Sequence, residues 1–265
     1  MTRWAAIIWV WGLVLIAGAV GGGFAWWRQQ DLTQAYEAGR AAADADRWEE
    51  ALALAQPYAD RDDPRINGLL ADAYTNGPDS IQDIDKGLTL RRRAAEAGDM
   101  RAAYFLGKWI LENEPNEAQT QEAIGYLHEA ADCGMPMANY ELGIFYVEGF
   151  YVDKDLQKAV EHTESAAFAG VQNAYWNSYV IRSRIAKSEG DLHGESAKIG
   201  SNWLMIAAIN GNAEAKNIET EIRDYMISYD NENGAAAFND LKKKAIQWAE
   251  RISPLDSFRC SSTFQ

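Results

Sequence analysis

The stretch Ala94-Ala95-Glu96-Ala97-Gly98 returns as Ala130-Ala131-Asp132-Cys133-Gly134, then as Ala166-Ala167-Phe168-Ala169-Gly170, then as Ala207-Ala208-Ile209-Asn210-Gly211. The glycines step by 36, 36 and 41 residues. Four residues after each glycine stands an alanine: Ala102, Ala138, Ala174 and Ala215. Leu106-Gly107 and Leu142-Gly143 follow at one offset, and Tyr74-Thr75-Asn76-Gly77 and Tyr146-Val147-Glu148-Gly149 lie 72 residues apart, two periods. Self-similarity at a spacing of this size marks stacked supersecondary units. Each unit reads as a helix pair. Small residues at helical spacing let two helices cross closely, and a glycine just after an apolar helix takes the left-handed conformation that ends it. Leu106, Ile110, Leu127 and Leu142 fill the space between repeats. One pair cannot cover its own apolar face, so pairs must stack.

The clearest copy runs from Ala138 to Gly170 and contains Ala138, Leu142-Gly143, Tyr146, Gly149, Val152, Asp155, Lys158-Ala159 and Ala166-Ala167-Gly170. This pattern resembles the Sel1-like repeat, a relative of the tetratricopeptide repeat. Residues 64 to about 170 match it well, and residues 171–252 keep the small-residue skeleton with longer loops near Ser188–Gly194 and Tyr229–Gly234. Tyr151 stands where the family usually has a second turn glycine, which predicts a distorted turn. The resemblance implies an all-α fold over 64–252: a right-handed superhelical solenoid of stacked antiparallel helix pairs. Residues 32–62 resemble a looser tetratricopeptide-type pair that caps the stack, with Tyr36, Gly39, Trp48 and Ala51 in plausible packing positions. Asp46 with Glu49 reads as a capping-box-like start for its second helix. Residues 253–265 have no helical period and read as a tail.

Ahead of the repeats, Trp4 to Trp27 is a run of 24 residues without a charge, bounded by Arg3 and Arg28. At about 1.5 Å per residue such a helix crosses a bilayer core with some tilt. Trp4, Trp9 and Trp11 stand near one end and Trp26 and Trp27 at the other, where tryptophan favours the membrane–water boundary. The expectation is one transmembrane anchor, residues 1–28, in a bacterial inner membrane with the body in the periplasm. A cleaved signal peptide is the competing reading, because Ala17-Gly18-Ala19 resembles a cleavage site. The apolar run continues past that site, which favours the anchor. Gly18 and Gly22 form a GxxxG pair that lets two such helices approach, a route to self-association.

The formal net charge is −14, and positions 29–265 carry 23 basic and 39 acidic residues. A body that acidic repels phosphate backbones, which argues against nucleic acid as a partner. No sign of an enzyme or of a cofactor or metal site appears. Gly21-Gly22-Gly23 lies in the apolar run with no Lys-Ser/Thr after it, and neither G-x-S-x-G nor H-E-x-x-H occurs. His128, His162 and His193 read as isolated, solvated or hydrogen-bonded side chains, and the doublets Glu49-Glu50 and Asp62-Asp63 as solvated surface. Cys133 and Cys260 match no metal spacing. They read as two unpaired thiols, with pairing open to them in a periplasmic location.

Alignment of the helices that open each repeat gives three registers. Arg65, Arg101, Met137 and Asn173 share the first; Gly68, Tyr104, Tyr140 and Trp176 the second; Asp72, Lys108, Ile144 and Val180 the third. In solenoids of the kind this chain resembles, first helices line the concave face. Tyr104, Tyr140 and Trp176 then form an aromatic ladder, with Arg101, Lys108, Glu112, Glu148, Arg182 and Arg184 supplying charge. Aromatic rings make good anchors because they bury much area with few rotors. Packing between repeats is the equal alternative for that ladder. The resemblance implies a scaffold or adaptor that binds a partner protein in an envelope complex. Two other readings stand beside it: an accessory subunit whose ladder stacks on cell-wall or polysaccharide glycan, and a structural unit assembled through the membrane helix.

Overall fold

A computed structural model describes residues 30–230 and 233–251. The expected anchor with its tryptophans and the Gly18/Gly22 pair, Cys260, and the tail 253–265 lie outside the described residues. Among the described residues all regular structure is helical, and no helix is long and apolar enough to cross a membrane. Helix α1 occupies residues 30–44. It is followed by α2 (Trp48–Ala55), a 3-10 segment (Gln56–Arg61), α3 (Pro64–Asn76), α4 (Ile84–Glu96), α5 (Met100–Glu112), α6 (Glu117–Asp132), α7 (Pro136–Glu148), α8 (Leu156–Phe168), α9 (Gln172–Glu189), α10 (Glu195–Ile209), α11 (Ala213–Tyr229) and α12 (Gly234–Arg251).

The four recurring Ala-Ala-x-x-Gly strings end α4, α6, α8 and α10 in one geometry. Gly98, Gly134, Gly170 and Gly211 have φ of 92°, 86°, 89° and 97°. In each string the glycine N–H donates to the second alanine carbonyl, and the next residue's N–H donates to the first. For the first copy these are Gly98 to Ala95 and Asp99 to Ala94, both 2.9 Å. This double bond pattern satisfies carbonyls that the helix end would otherwise orphan, and only glycine enters its left-handed position without a steric cost. The alanine pairs are buried, as are Ala102, Ala138, Ala174 and Ala215. Close approach also explains Leu106-Gly107 and Leu142-Gly143. A Cβ at Gly107 would meet the Ala123 carbonyl at 2.8 Å, and one at Gly143 would collide with Thr163 Oγ1.

Polar residues start most helices. Asp63, Asp83 and Asp155 accept from backbone N–H groups at the starts of α3, α4 and α8. Asn116 and Gln119 form a reciprocal capping box on α6. The expected box at Asp46 and Glu49 does not form. Arg47 is the N-cap of α2 and makes no side-chain cap bond, while Asp46 takes the left-handed conformation at φ 56°. The connection from α1 is too tight to leave Asp46 in the extended conformation a capping residue needs. Asp62 and Asp63 are likewise more than solvated surface. Asp63 caps α3, and Asp62 Oδ1 accepts from the buried Asn67 Nδ2 at 3.0 Å.

The chain divides into two compact units, Met1–Ala102 and Ala103–Gln265. The core of the first is built from Leu32, Ala42, Ala43, Ala51, Ala55, Ile66, Leu69, Leu70 and Tyr74. Beside it, Asp72 is 5% exposed and receives Arg40 at 2.8 Å, Arg91 at 3.0 Å and Arg101 at 3.5 Å. One carboxylate thereby ties α1, α3, α4 and the start of α5. In the second unit neighbours in sequence are neighbours in space: α6 packs on α7, α7 on α8, α8 on α9, α9 on α10, and α11 and α12 on α10. The turn between α7 and α8 is completed by Tyr151 itself at φ 62°, its ring edge-on to Phe145 at 5.1 Å. Cys133, at the end of α6, is disulfide-bonded, which decides against the unpaired thiol.

Candidate functional site

The ladder residues lie on first helices of consecutive pairs, but they are not equally accessible. Tyr104 on α5 is 4% exposed and packs its ring edge-on to Phe105 at 5.0 Å. Burial, with Glu141 and Glu112 adding repulsion, pushes its phenol up to about 12. Tyr140 on α7 is half-buried against the cluster of Ala166, Ala167, Ala174, Trp203 and Ile206. Its hydroxyl accepts a long 3.4 Å bond from Asn177 Nδ2. Trp176 on α9 is half-buried, packed against Leu204, Ala207, Ala208 and Ala215 on one side. Its remaining surface forms part of a cavity.

That cavity measures about 260 Å³ and is half open to solvent. Gly143, Ile144, Val147 and Glu148 of α7 form one wall; Trp176, Asn177, Val180, Ile181 and Arg184 of α9 form the other; Thr163 of α8 is the floor. Two pairs of wall residues occupy equivalent repeat positions 36 apart: Ile144 with Val180, and Glu148 with Arg184 at the rim. Thr163 Oγ1 donates to the Ala159 carbonyl at 2.7 Å and so offers no spare proton. Glu148 and Arg184 stand 3.9 Å apart, each about half exposed.

The other charged candidates are placed differently. Lys108 lies 3.6 Å from Glu141 and 3.9 Å from Glu112. Arg101 reaches towards Asp72 in the first unit. Arg182 turns inward: its Nε and Nη2 donate to Glu164 at 2.7 and 2.6 Å, and the buried Trp203 Nε1 donates to the same carboxylate at 2.9 Å. The Glu164 hydrogen bonds hold the Arg182 guanidinium above its usual range. This network joins α8, α9 and α10 next to the cavity residues Thr163 and Ile181.

The histidines correct the reading of isolation. His128 on α6 and His162 on α8 have ring centroids 5.7 Å apart. Tyr146 stacks on His162 at 5.7 Å with an interplanar angle of 2°, and its hydroxyl lies 3.2 Å from His128 Nε2. His162 Nδ1 bonds Asn139 Oδ1 at 3.0 Å. Burial lowers both imidazoles below their usual range; His128 lowers His162 further, and Lys158 lowers both while Asp132 opposes. The available signal was the spacing of 34 residues, two short of a period, which puts the rings on adjacent turns of consecutive second helices. Among the described residues no group of three or more His, Cys, Asp or Glu is arranged to hold a metal ion. The sequence reading also missed Asn177 and Val147 on the cavity wall. Neither residue type stands out without knowledge of which way α7 and α9 face.

Three segments, residues 69–99, 101–135 and 136–170, match the Sel1 repeat. No curated protein matches the sequence. Among solved structures, a protective antigen of uropathogenic Escherichia coli with an SLR fold is 21% identical at a TM-score of 0.55, over 84% of this chain and 44% of the other. This chain therefore spans less than half the length of that antigen. A Sel1 repeat protein from Oxalobacter formigenes is 19% identical at a TM-score of 0.58, over 82% of this chain and 87% of the other. At such identities the likeness establishes the all-helical repeat fold alone.

Proposed function

We propose, from the premise that the chain carries three Sel1 repeats, that it is a membrane-anchored adaptor that binds a partner protein in a bacterial envelope complex. The carrying observation is the half-open cavity between α7 and α9, about 260 Å³, with apolar walls and a charged rim. Its size favours one kind of occupant. Sites for drug-sized molecules run to roughly 300–1,000 Å³. This one suits a single large side chain of a partner. Tryptophan is among the residue types that most often anchor protein interfaces, and Trp176 lines the cavity, with Glu148 and Arg184 as its charged rim. Tyr140 extends the face, Tyr104 is buried on α5 of the preceding helix pair, and Lys108, beside Glu141, contributes charge. Function is by contact rather than catalysis. The uncharged run Trp4–Trp27 between Arg3 and Arg28 supports the anchor, with the body on the periplasmic side.

The test is a photo-crosslinking residue at Ile144, with the exposed Glu161 as control, in living cells. One dominant protein adduct at Ile144 alone is the expected result. Absence of any protein adduct at Ile144, in a folded and membrane-fractionating chain, would refute the adaptor reading. Glycan fragments that bind the purified chain and lose affinity on Trp176→Ala would replace it with the carbohydrate reading.

A further inference from the structure

The α7–α9 cavity also carries information about what kind of segment fills it; the inference rests on the reading of that face as a docking site. Apart from Asn177, Thr163 and the charged rim the lining is apolar, so the buried part of the ligand is an apolar side chain. The decision lies in the rim. Glu148 is the last residue of α7, and the C-terminal end of a helix carries partial negative charge from its unpaired carbonyls. Arg184 lies in the interior of α9, which spans Gln172–Glu189, and has no comparable helix-end contribution. The segment that follows Glu148 adds Asp153 and Asp155 against Lys154. The two rim charges are only loosely joined at 3.9 Å and both are about half exposed, so either is free to exchange its partner. Surface pairs of this kind contribute little to stability. The wider field agrees: the chain's formal charge is −14, which draws cationic segments and repels anionic ones during encounter.

We infer that the cavity takes a basic–apolar segment of a partner protein: a bulky apolar side chain between Trp176, Ile144 and Val180, with a neighbouring lysine or arginine on Glu148. Asn177 stands on the same wall with its amide only weakly engaged at 3.4 Å to Tyr140. It is placed to bond the backbone of that segment. Arg184 competes with the ligand's cation for Glu148, so the two rim residues act with opposite sign. A lost Glu148 weakens binding, and a lost Arg184 strengthens it.

The experiment measures fluorescence anisotropy of rhodamine-labelled peptides with the full-length chain in a neutral detergent. The probes are Gly-Lys-Phe-Lys-Gly, its acidic counterpart Gly-Glu-Phe-Glu-Gly, and Gly-Lys-Gly-Lys-Gly without the anchor. The basic peptide with phenylalanine is expected to bind several-fold more tightly than either of the others, and to weaken as salt is raised. Glu148→Gln should weaken it several-fold and Arg184→Gln should tighten it. Ile144→Trp and Val180→Trp, each filling the cavity from one wall, should abolish it while circular dichroism confirms the helical fold. Equal or tighter binding of the acidic peptide, reversed or absent effects at Glu148 and Arg184, or unchanged binding to both filled variants would overturn the inference. A cellular adduct at Ile144 from an acidic partner segment would overturn it too, while leaving the adaptor reading intact.

Discussion

The Glu164 network next to the cavity sets a quantitative test. Glu164→Ala removes the acceptor for two Arg182 bonds of 2.7 and 2.6 Å and for the Trp203 N–H at 2.9 Å. Removal of one partner of a buried ion pair costs about 3–5 kcal/mol. The Arg182 side chain is 18% exposed and can turn partly towards water, so the lower end, about 3 kcal/mol, applies. Trp203 is 2% exposed, and its orphaned N–H adds about 1 kcal/mol or more. The expected loss is therefore about 4 kcal/mol. With a urea m-value of roughly 2–3 kcal/mol/M, the midpoint should fall by about 1.5 M. Glu164→Gln keeps an acceptor for Trp203 and should lose less than half as much. In the double variant Glu164→Ala/Arg182→Met no charge is left unpaired, so part of the loss should return, with a coupling of about 1–2 kcal/mol. Urea titration followed by far-UV circular dichroism measures the parent chain, Glu164→Ala, Glu164→Gln, Arg182→Met and the double variant. A midpoint shift of less than about 0.3 M for Glu164→Ala, or strict additivity in the cycle, would refute the claim that this network holds α8, α9 and α10 together.

Three further outcomes follow from single features. Both half-buried imidazoles have folded-state values below the ordinary 6.5, so the unfolded chain binds more protons; stability is complete above pH 6.5 and falls as acid protonates His128 and His162, and the double variant His128→Gln/His162→Gln should flatten a melting-temperature profile over that range. Tyr151→Gly relieves a left-handed tyrosine at φ 62° at the cost of the Phe145 contact, and calorimetry should show a stability gain of about 0.5–1 kcal/mol; a loss would mean the ring contact outweighs the backbone strain. Cys133 is disulfide-bonded, so thiol titration of the unfolded, unreduced chain should find none, and Cys133→Ser should lower stability by about 2–4 kcal/mol, an effect that reductant reproduces in the parent chain.

The repeat itself was legible because its signals are local. Ala94-Ala95 and Gly98 lie within one helical turn and its exit, and the bonds they make run among themselves. All four segments with alanine, alanine and glycine in that order end a helix the same way. The same holds for Asp155 at the start of α8 and Asn116 with Gln119 at the start of α6. Asp46 misled because its residue type suits a cap, whereas the turn out of α1 dictates its φ.

The candidate site was legible only as a register. Equivalent positions 36 apart placed Ile144 opposite Val180 and Tyr140 in line with Trp176, and Ile144, Val180 and Trp176 line the cavity. Which of those rings faces outward depends on how far each helix is rotated towards its neighbours. That rotation is a property of packing among helices distant in sequence, and it buries Tyr104 while leaving Trp176 half open. The period and the glycine helix ends were thus determined by the sequence alone, since the bonds that close them rest on neighbours within a few residues, whereas the small-residue contacts at Gly107 and Gly143 showed only as a pattern whose partners lie on the next helix. The meeting of His128 with His162, the inward turn of Arg182 onto Glu164 and the cavity between α7 and α9 were decided by the tertiary structure. Their energies come from burial and from charge pairs 18 or more residues apart, and no local pattern encodes which of several exposed-looking side chains the packing will enclose.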